Sequence, residues 1–509
     1  MEVFYSKILE KRIELLYIGF FSILFFIFFL FTEIFGVIDA LKILLGLIAA
    51  VGVLCLIYKK VLYGLWFLLI LFYFIPFSSP DYLARIGERP YFSLFNRFNS
   101  TFCIWDLLIF SLAAFLIIKR LVEGKLKFFG IQHREIRLYI YLMIFAFING
   151  FLHVSGSFLS FGPTEFLRPI ISFMPFFYLI FMYLLTINLI ESKKDLDRTY
   201  DFIWILTILL IFYSVYRLIG ILSGRFDALM MFGLPMILYD QMSLIFYPIF
   251  LYISLYLLKV KSKKRNIFVA FSLFLIILSS TRRFNYLILI SGFFITLFLI
   301  HKVKRIGLGV IVKNFLKILI FLLLIFLVII LLLPDFVIGV YDSVKSIYFL
   351  SEYSLSYGGD IRKAELENMF LNMNKRKYSY LVGYGLGTRW EAIVDISFGA
   401  LDYDKKEVNK GINWWPQFHL PYISLIYVYG ILGLLLMLFI IFVFLKRSVY
   451  FIKKFENKKY YQAQLIALTA NLVLAMFFLG GSFNPTGAIF CGILYGLQVS
   501  TNKYGRKNA

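Results

Sequence analysis

The chain is poor in the side chains that build metal sites and thiol chemistry. Its 509 residues include three cysteines and four histidines. Cys55, Cys103 and Cys491 lie in or beside apolar stretches without the spacing of metal ligands, so we interpret them as packed thiols. The sequence also lacks ten-residue segments in which apolar and polar residues alternate, and this absence excludes a transmembrane β-barrel. We expect no metal and no cofactor.

Apolar residues, in contrast, are abundant and lie in long runs. They make up 61% of the chain, whereas a soluble domain has about 45–50%. The runs 15–31 and 317–333 are long enough to cross a hydrocarbon core of ~30 Å. The first run is too long for the core of a signal peptide and is interpreted as a membrane span. The composition predicts an all-α fold, a polytopic transmembrane helical bundle of about 12–14 spans.

The basic residues predict how this bundle is oriented. The net charge is +23, and most of it lies in short loops between candidate spans, as the positive-inside rule expects of a membrane protein; we therefore predict no nucleic-acid partner. The strongly basic loops alternate in a way that puts both termini in the cytoplasm. The candidate spans lie at about 14–32, 40–57, 61–76, 102–118, 136–153, 169–190, 203–222, 241–258, 266–281, 284–300, 314–333, 419–445, 462–479 and 484–500.

This topology divides the chain into three regions. Residues 1–333 are predicted to be transmembrane helices, residues 334–418 one long external loop with short helices, and residues 419–509 the C-terminal transmembrane helices. Most spans lack ionisable residues, and the charges gather at the outer mouth of the bundle. That distribution favours chemistry at the outer surface over transport through the bundle, which places ionisable residues near the bilayer midplane.

Two adjacent arginines lie at the predicted outer start of a span, in SSTRRFNYLILIS (279–291). Two positive charges on the predicted outer side run against the positive-inside rule. They also lie at the N-terminus of the following helix, whose dipole is positive there and disfavours cations. Two unfavourable features together indicate anion binding, although arginines that reach outward to lipid headgroups would also explain them. If both arginines are helical, their side chains diverge by about 100°, and Arg283 shares a face with Leu287. We expect Arg283 to be the anion-binding residue and Arg282 its companion.

The external loop contains a predicted amphipathic helix followed by a glycine-rich turn. The stretch DIRKAELENMFLNMN (360–374), with Asp360 as its cap, is expected to lie across the outer face. Its apolar face is predicted to comprise Ile361, Leu366, Met369, Phe370 and Met373. The next stretch, YLVGYGLGTRW (380–390), has three glycines that permit tight turns and close approach to a ligand. No strand precedes it, so we reject a nucleotide-binding loop.

A histidine stands at the exit from this loop. His419 lies two residues before Pro421, which suits the first turn of the following span. The positive end of that helix favours a neutral imidazole that can accept a proton. His419 can therefore act as a general base, or it can be a structural residue at the membrane interface. The other external histidine, His153, is expected to lie far from this region.

Four stretches together resemble one family of membrane enzymes. They are Arg283 to Leu287 in RFNYL, Arg362 in DIRKAELENMF followed by VGYGLGT, His419 to Gly430, and the G-x-x-G of Gly430 and Gly433. Their order and shared topology resemble the O-antigen ligase and polymerase superfamily, bacterial integral-membrane glycosyltransferases with a long periplasmic loop. The resemblance covers about residues 280–435.

The resemblance implies transfer of a glycan from undecaprenyl pyrophosphate to an acceptor sugar hydroxyl, at the periplasmic face of the inner membrane. Arg283, Arg362 and Arg282 would bind the pyrophosphate, and His419 would be the catalytic base; Glu391 or Asp395 is the alternative base. The acceptor would be a saccharide or a lipid-linked glycan, and membrane lipids would surround the bundle. The chain has more candidate spans than the ligases of this family, and Leu420 follows His419 where the family often has asparagine. Both departures favour a polymerase slightly over a ligase. A transporter or flippase of lipid-linked saccharides is the alternative, whereas a purely structural membrane subunit would explain neither the long external loop nor its arginines.

Overall fold

The structure is a computed structural model, and it describes about half of the chain. The described residues are 60, 62–74, 133–155, 167–223, 230–231, 234–235, 242–260, 283–304, 360–376, 378–388, 390–391, 414–415, 421–477 and 485–505, with isolated positions at 111, 114–115, 118–119, 121–122, 269, 272, 309 and 313.

Helices dominate these described residues. They are α1 (Leu62–Phe74), α2 (Arg134–Ser155), α3 (Leu167–Leu189), α4 (Lys193–Leu222), α5 (Met242–Leu257), α6 (Arg283–Lys304), α7 (Asp360–Asn374), α8 (Ser379–Val382), α9 (Pro421–Lys453), α10 (Lys459–Phe477) and α11 (Pro485–Tyr504). Two-residue strands pair antiparallel in two places: β1 (Met230–Met231) with β2 (Leu234–Pro235), and β3 (Trp390–Glu391) with β4 (Trp414–Trp415).

The helical class predicted from hydropathy is confirmed. Helix forms in nine of the fourteen candidate spans, and the other five fall largely outside the described residues. Four of the described helices, α2, α3, α4 and α9, are long and apolar enough to cross a membrane. The total number of spans and the external position of 334–418 stay predictions.

Helix ends differ from the hydropathy boundaries where polar residues continue the helix. Helix α4 begins at Lys193, ten residues before the predicted start of its span. The side chain of Ser192 accepts a hydrogen bond from the Asp195 amide at 3.1 Å, which caps this first polar turn. Hydropathy detects where a helix meets lipid, whereas capping determines where its hydrogen bonding begins.

Polar contacts tie the helices together at one end of the bundle. Lys60 pairs with Asp195 at 2.5 Å, and the hydroxyl of Tyr461 donates to Asp197 at 2.7 Å. Lys304, at the end of α6, pairs with Glu456 at 3.3 Å. All these residues lie at helix ends for which the charge pattern predicts the cytoplasmic side. The glycine-rich segment 383–388 packs against the other, predicted outer parts of α2 and α9.

Helices α3 and α11 cross closely because α11 presents glycines to α3. A methyl group on Gly492 would lie 2.4 Å from the Leu179 carbonyl oxygen, and one on Gly496 would lie 2.5 Å from Cβ of Thr186. Small residues at such positions allow two membrane helices to approach backbone to backbone. Beside this interface Cys491 is buried, as expected of a packed thiol; Cys55 and Cys103 lie outside the described residues.

Candidate functional site

Helix α9 is interrupted at Gly430, near the end that follows the predicted external loop. Gly430 has φ +66° and ψ −174°, a conformation reserved almost entirely for glycine. The chain therefore runs as two helical segments, 421–429 and 431–453. In an uninterrupted helix the carbonyls of Tyr427 and Val428 accept hydrogen bonds from amides four residues later. At this break they need other donors, because an unpaired carbonyl in an apolar environment is costly.

The glycine-rich segment 383–388 supplies those donors. The amide of Tyr384 donates to the Tyr427 carbonyl at 2.8 Å, and the amide of Gly385 donates to the Val428 carbonyl at 2.9 Å. The approach is close because both sides of the contact are glycine. A methyl group on Gly383 would lie 2.4 Å from the Val428 oxygen, and one on Gly430 would lie 2.3 Å from the Leu381 oxygen. The loop thus completes the broken turn of α9.

The same segment also packs against the outer part of α2. The amide of Leu386 donates to the Ala146 carbonyl at 2.9 Å. A methyl group on Gly385 would lie 2.0 Å from the backbone nitrogen of Gly150. The side-chain amide of Asn149 lies 3.2 Å from the carbonyl oxygens of both Val382 and Gly383. Three backbone segments from distant parts of the sequence therefore meet at one point.

This geometry changes the role that the sequence predicted for the glycines. They were expected to permit close approach to a ligand, whereas Gly383 and Gly385 instead approach the backbones of α9 and α2. Asn149 and Gly150 were not singled out in the sequence. An Asn-Gly pair inside an otherwise apolar span was the available signal, because neither residue favours a lipid-exposed helix interior.

Helix α7 packs against the place where segment 383–388 meets α9 and α2, which we call the junction. The helix spans Asp360–Asn374, the stretch predicted to be helical. Met369 and Met373 are buried with Tyr384, Ile423 and Tyr427 in one apolar cluster. The hydroxyl of Tyr384 donates to the Asn372 carbonyl at 2.6 Å, which fixes the loop segment to the end of the helix.

The predicted apolar face of α7 is only partly correct. Met369 and Met373 are buried, but Leu366 and Phe370 are exposed. The side chain of Ile361 lies outside the described residues. Asn368 and Asn372 occupy the buried face instead, where the Asn372 side chain donates to the Asn368 carbonyl at 2.7 Å. A buried polar stripe of this kind escapes a prediction based on apolar spacing alone.

The ring of Tyr384 is the centre of a small polar and aromatic cluster. Tyr427 stacks on it with 4.8 Å between ring centres. The guanidinium carbon of Arg376 lies 5.3 Å from the centre of the Tyr384 ring, and the His153 ring lies 5.5 Å away. Burial raises the pKa of Tyr384, although Arg376 acts in the opposite direction. Tyr384 is therefore a neutral hydroxyl that donates a hydrogen bond.

His153 contradicts the expectation that it lies far from the loop. It belongs to the last turn of α2, which the loop segment crosses. Its Nδ1 atom lies 2.7 Å from the Asn149 carbonyl oxygen. Because a carbonyl oxygen only accepts, Nδ1 carries the proton in this contact. In the neutral ring, Nε2 is then the atom with the lone pair.

The structure describes only part of the predicted pyrophosphate site and catalytic base. Arg283 begins α6 and Arg362 lies in the first turn of α7, but neither side chain is among those described. His419, Arg282 and Asp395 lie outside the described residues. Their roles and mutual distances stay predictions.

Strand pairing does fix part of the predicted loop. The backbone of Glu391 in β3 pairs with Trp414 in β4, just before α9. The two ends of the segment 392–413 are therefore held side by side. Both strands lie in the second half of the predicted loop, and their pairing returns the chain to the backbone of Glu391 shortly before α9 begins.

A second, buried polar cluster lies at the opposite end of α2 and α9. Nη1 of Arg447 lies 2.5 Å from Oε1 of Glu135, and the hydroxyl of Tyr495 donates to the same oxygen at 2.7 Å. Nη2 of Arg447 donates to Gln498 at 3.2 Å. Burial, and after it the charge of Arg447, lowers the pKa of His133 to about 4, although Glu135 acts in the opposite direction. This cluster joins α2, α9 and α11.

Comparison with known proteins adds no assignment. No family model matches the chain, and no curated protein matches it. Among the residues that the structure describes, no group of three or more His, Cys, Asp or Glu side chains is arranged to hold a metal ion.

Proposed function

We propose that this chain is a membrane glycosyltransferase of the O-antigen polymerase and ligase type. It transfers a glycan from undecaprenyl pyrophosphate to a sugar hydroxyl at the periplasmic face of the bacterial inner membrane. The observation that carries this proposal is the junction of the glycine-rich loop with α9. The stretch VGYGLGT and Gly430, which the family resemblance pairs only by their order in the sequence, are in direct backbone contact.

The depth of the junction supports surface chemistry over transport. Gly430 precedes Arg447 by seventeen residues, about 26 Å along an ideal helix. This distance approaches the ~30 Å thickness of the hydrocarbon core. The charge pattern predicts that Arg447 lies near the cytoplasmic interface, and this prediction would put the break in α9 near the other interface. Transporters that bind substrate at broken helices do so near the midplane, so the alternative of a saccharide flippase is less well supported.

The proposed reaction is a direct displacement. The acceptor hydroxyl attacks the anomeric carbon of the donor glycan, His419 takes the hydroxyl proton, and the bond to the pyrophosphate breaks. Undecaprenyl pyrophosphate leaves with the bonding electron pair, while Arg283 and Arg362, with Arg282 as companion, stabilise the developing negative charge. Because the donor is already activated, the reaction needs no metal. A single displacement inverts the anomeric configuration.

The choice between polymerase and ligase concerns only the acceptor. A polymerase extends another lipid-linked repeat unit, whereas a ligase attaches the glycan to a lipid A core. The predicted number of spans favours the polymerase.

The test is transfer by the purified protein. Lipid-linked glycan extracted from cells that lack this chain serves as both donor and acceptor, and the products are separated by size. The wild-type protein is expected to form longer glycans with inverted anomeric configuration, as read by NMR. The His419→Ala variant should be slower by about 10²–10⁴ while still binding donor. The matched control is His301→Ala, because His301 lies in the last turn of α6.

The arginines are tested in the same assay. Arg283→Lys and Arg362→Lys should each impair transfer, because lysine cannot form a two-pronged contact with phosphate. Arg282→Lys should have the smaller effect. Wild-type protein that forms no longer glycan but moves the lipid-linked glycan across proteoliposomes would contradict the proposal and support the flippase.

A further inference from the structure

The ring of His153 is oriented so that Nε2 can accept a hydrogen bond from a ligand. Its Nδ1 proton is committed to the Asn149 carbonyl oxygen, so the lone pair is on Nε2. Nε2 makes no hydrogen bond to any residue that the structure describes, and the ring is only partly buried. A side chain that served only to cap the end of α2 would need Nδ1 alone.

Two neighbours restrict the chemistry of that ligand. Arg376 is exposed and lies over the Tyr384 ring, against which His153 also packs. With Nδ1 donating to the Asn149 carbonyl, Nε2 of the neutral ring is the hydrogen-bond acceptor, and a hydroxyl is a suitable donor to it. Arg376 offers donors to further oxygens of the same molecule. A polyhydroxylated ligand, a saccharide, satisfies both residues.

We propose that His153 and Arg376, both packed against the Tyr384 ring, form a subsite for the acceptor saccharide, in which Nε2 of His153 accepts a hydrogen bond from a sugar hydroxyl. This assignment rests on the proposed function, because the acceptor is one of the two substrates of the proposed glycan transfer. It separates binding of the acceptor at His153 from proton removal at His419. It also gives Arg376 a role distinct from binding pyrophosphate.

Two substitutions separate this role from a structural one. In His153→Asn the side-chain amide overlies Nδ1 and keeps a donor for the Asn149 carbonyl, but nothing occupies the Nε2 position. In His153→Gln the amide reaches the Nε2 position, where its oxygen can accept a hydrogen bond. If His153 is purely structural, His153→Asn should keep the stability and ligand affinity of the wild type, and His153→Gln should lose both. If His153 binds the acceptor, His153→Gln should keep the affinity for the saccharide and His153→Asn should lose it.

The probe is the free oligosaccharide released by mild acid from the lipid-linked glycan of cells that lack this chain. It carries no pyrophosphate, so it does not depend on the arginines of the donor site. Calorimetric titration of the purified protein should show binding that His153→Asn weakens about tenfold or more, and that His153→Gln retains within about threefold. The His301→Asn variant is the matched control and should bind as the wild type does.

Three outcomes would overturn the subsite: no binding of the oligosaccharide to the wild-type protein, unchanged affinity in His153→Asn, or an equal loss in both variants together with a lower melting temperature. Binding through His153 without any glycan transfer would support the subsite and contradict the proposed transferase. Transfer with an unchanged KM for acceptor in His153→Asn would support the transferase and overturn the subsite alone.

Discussion

Gly430 occupies a backbone conformation and a space that no other residue can share. A Cβ atom there would lie 2.3 Å from the Leu381 carbonyl oxygen and 2.6 Å from the Gly383 nitrogen. Neither neighbour is a flexible side chain, so the whole loop segment would have to move. Gly430 therefore matters through the backbone contact that it permits between α9 and the loop.

Gly430→Ala should destabilise the protein. A positive φ combined with an extended ψ costs about 1–3 kcal/mol for an L-residue, and the steric overlap about 1–3 kcal/mol more. The melting temperature of the purified variant in detergent measures the effect. Gly309→Ala is the matched control, because nothing lies within 4 Å of a methyl group there. Equal melting temperatures for the two variants would show that the backbone contact does not contribute.

His133 should make stability depend on pH. Its pKa is lowered to about 4 in the folded protein, against about 6.5 when unfolded. Between these values the unfolded chain binds the proton more readily, so acidification stabilises the unfolded state. Stability is then independent of this group above pH ~6.5 and falls as the pH is lowered toward 4.

The measurement is the melting temperature of wild type and His133→Asn between pH 7 and pH 4.5. The wild-type protein should lose more stability over this interval than the variant does. Parallel curves for the two proteins would contradict the lowered pKa.

Sequence reasoning identified the important glycines but not what they contact. Gly383, Gly385 and Gly430 were selected from spacing alone. Their partner Gly150 lies more than 230 residues away along the chain, and no local pattern links it to them. The same separation explains the error over His153, which was judged remote by sequence position although α2 carries it directly to the loop.

At the scale of elements, α2 and α9 touch at both ends by different means. The loop segment joins their outer parts through backbone hydrogen bonds, and Glu135 pairs with Arg447 at the other end. The Glu135 side chain is 5% exposed and the Arg447 side chain 13%. Removing one partner leaves the other as a buried, uncompensated charge.

Arg447→Met should therefore destabilise the protein strongly, by about 3–5 kcal/mol. Adding Glu135→Gln should recover much of this loss, because the amide is uncharged and still accepts the Tyr495 hydrogen bond. Unfolding titrations with denaturing detergent on the wild type, both single variants and the double variant give the coupling energy. Losses that simply add in the double variant would mean that the two charges do not interact.

Helices were the elements that the sequence predicted best. Long apolar runs place α2, α3, α5 and α6 within a few residues of their described bounds. The break inside α9 was not predicted, because the residues around Gly430 are as apolar as the rest of the helix. Only a partner from the loop makes such a break stable, and hydropathy contains no information about partners.

At the scale of the whole molecule, the side on which each helix end lies is the prediction that matters most. Lys375 follows α7 in the predicted external loop, and Lys453 ends α9 at the predicted cytoplasmic face. Both are exposed. Single cysteines at these positions, in a chain whose own cysteines are replaced by alanine, report the side directly.

A membrane-impermeant maleimide applied to intact cells should label the cysteine at 375 and miss the one at 453. Labelling of both after the cells are opened is the control that each site is accessible. The opposite pattern would invert the membrane topology, and the proposed active site would then face the cytoplasm.

The interruption of α9 also has a consequence for biosynthesis. When α9 emerges from the ribosome, residues 384 and 385, which complete its broken turn, have already been synthesised, and so has α2. Neither the loop nor α9 can form all of its hydrogen bonds alone, since the carbonyls of Tyr427 and Val428 accept hydrogen bonds from amides of the loop. The last hydrogen bonds of α9 and of the loop are therefore completed together, against an α2 that the ribosome has already made.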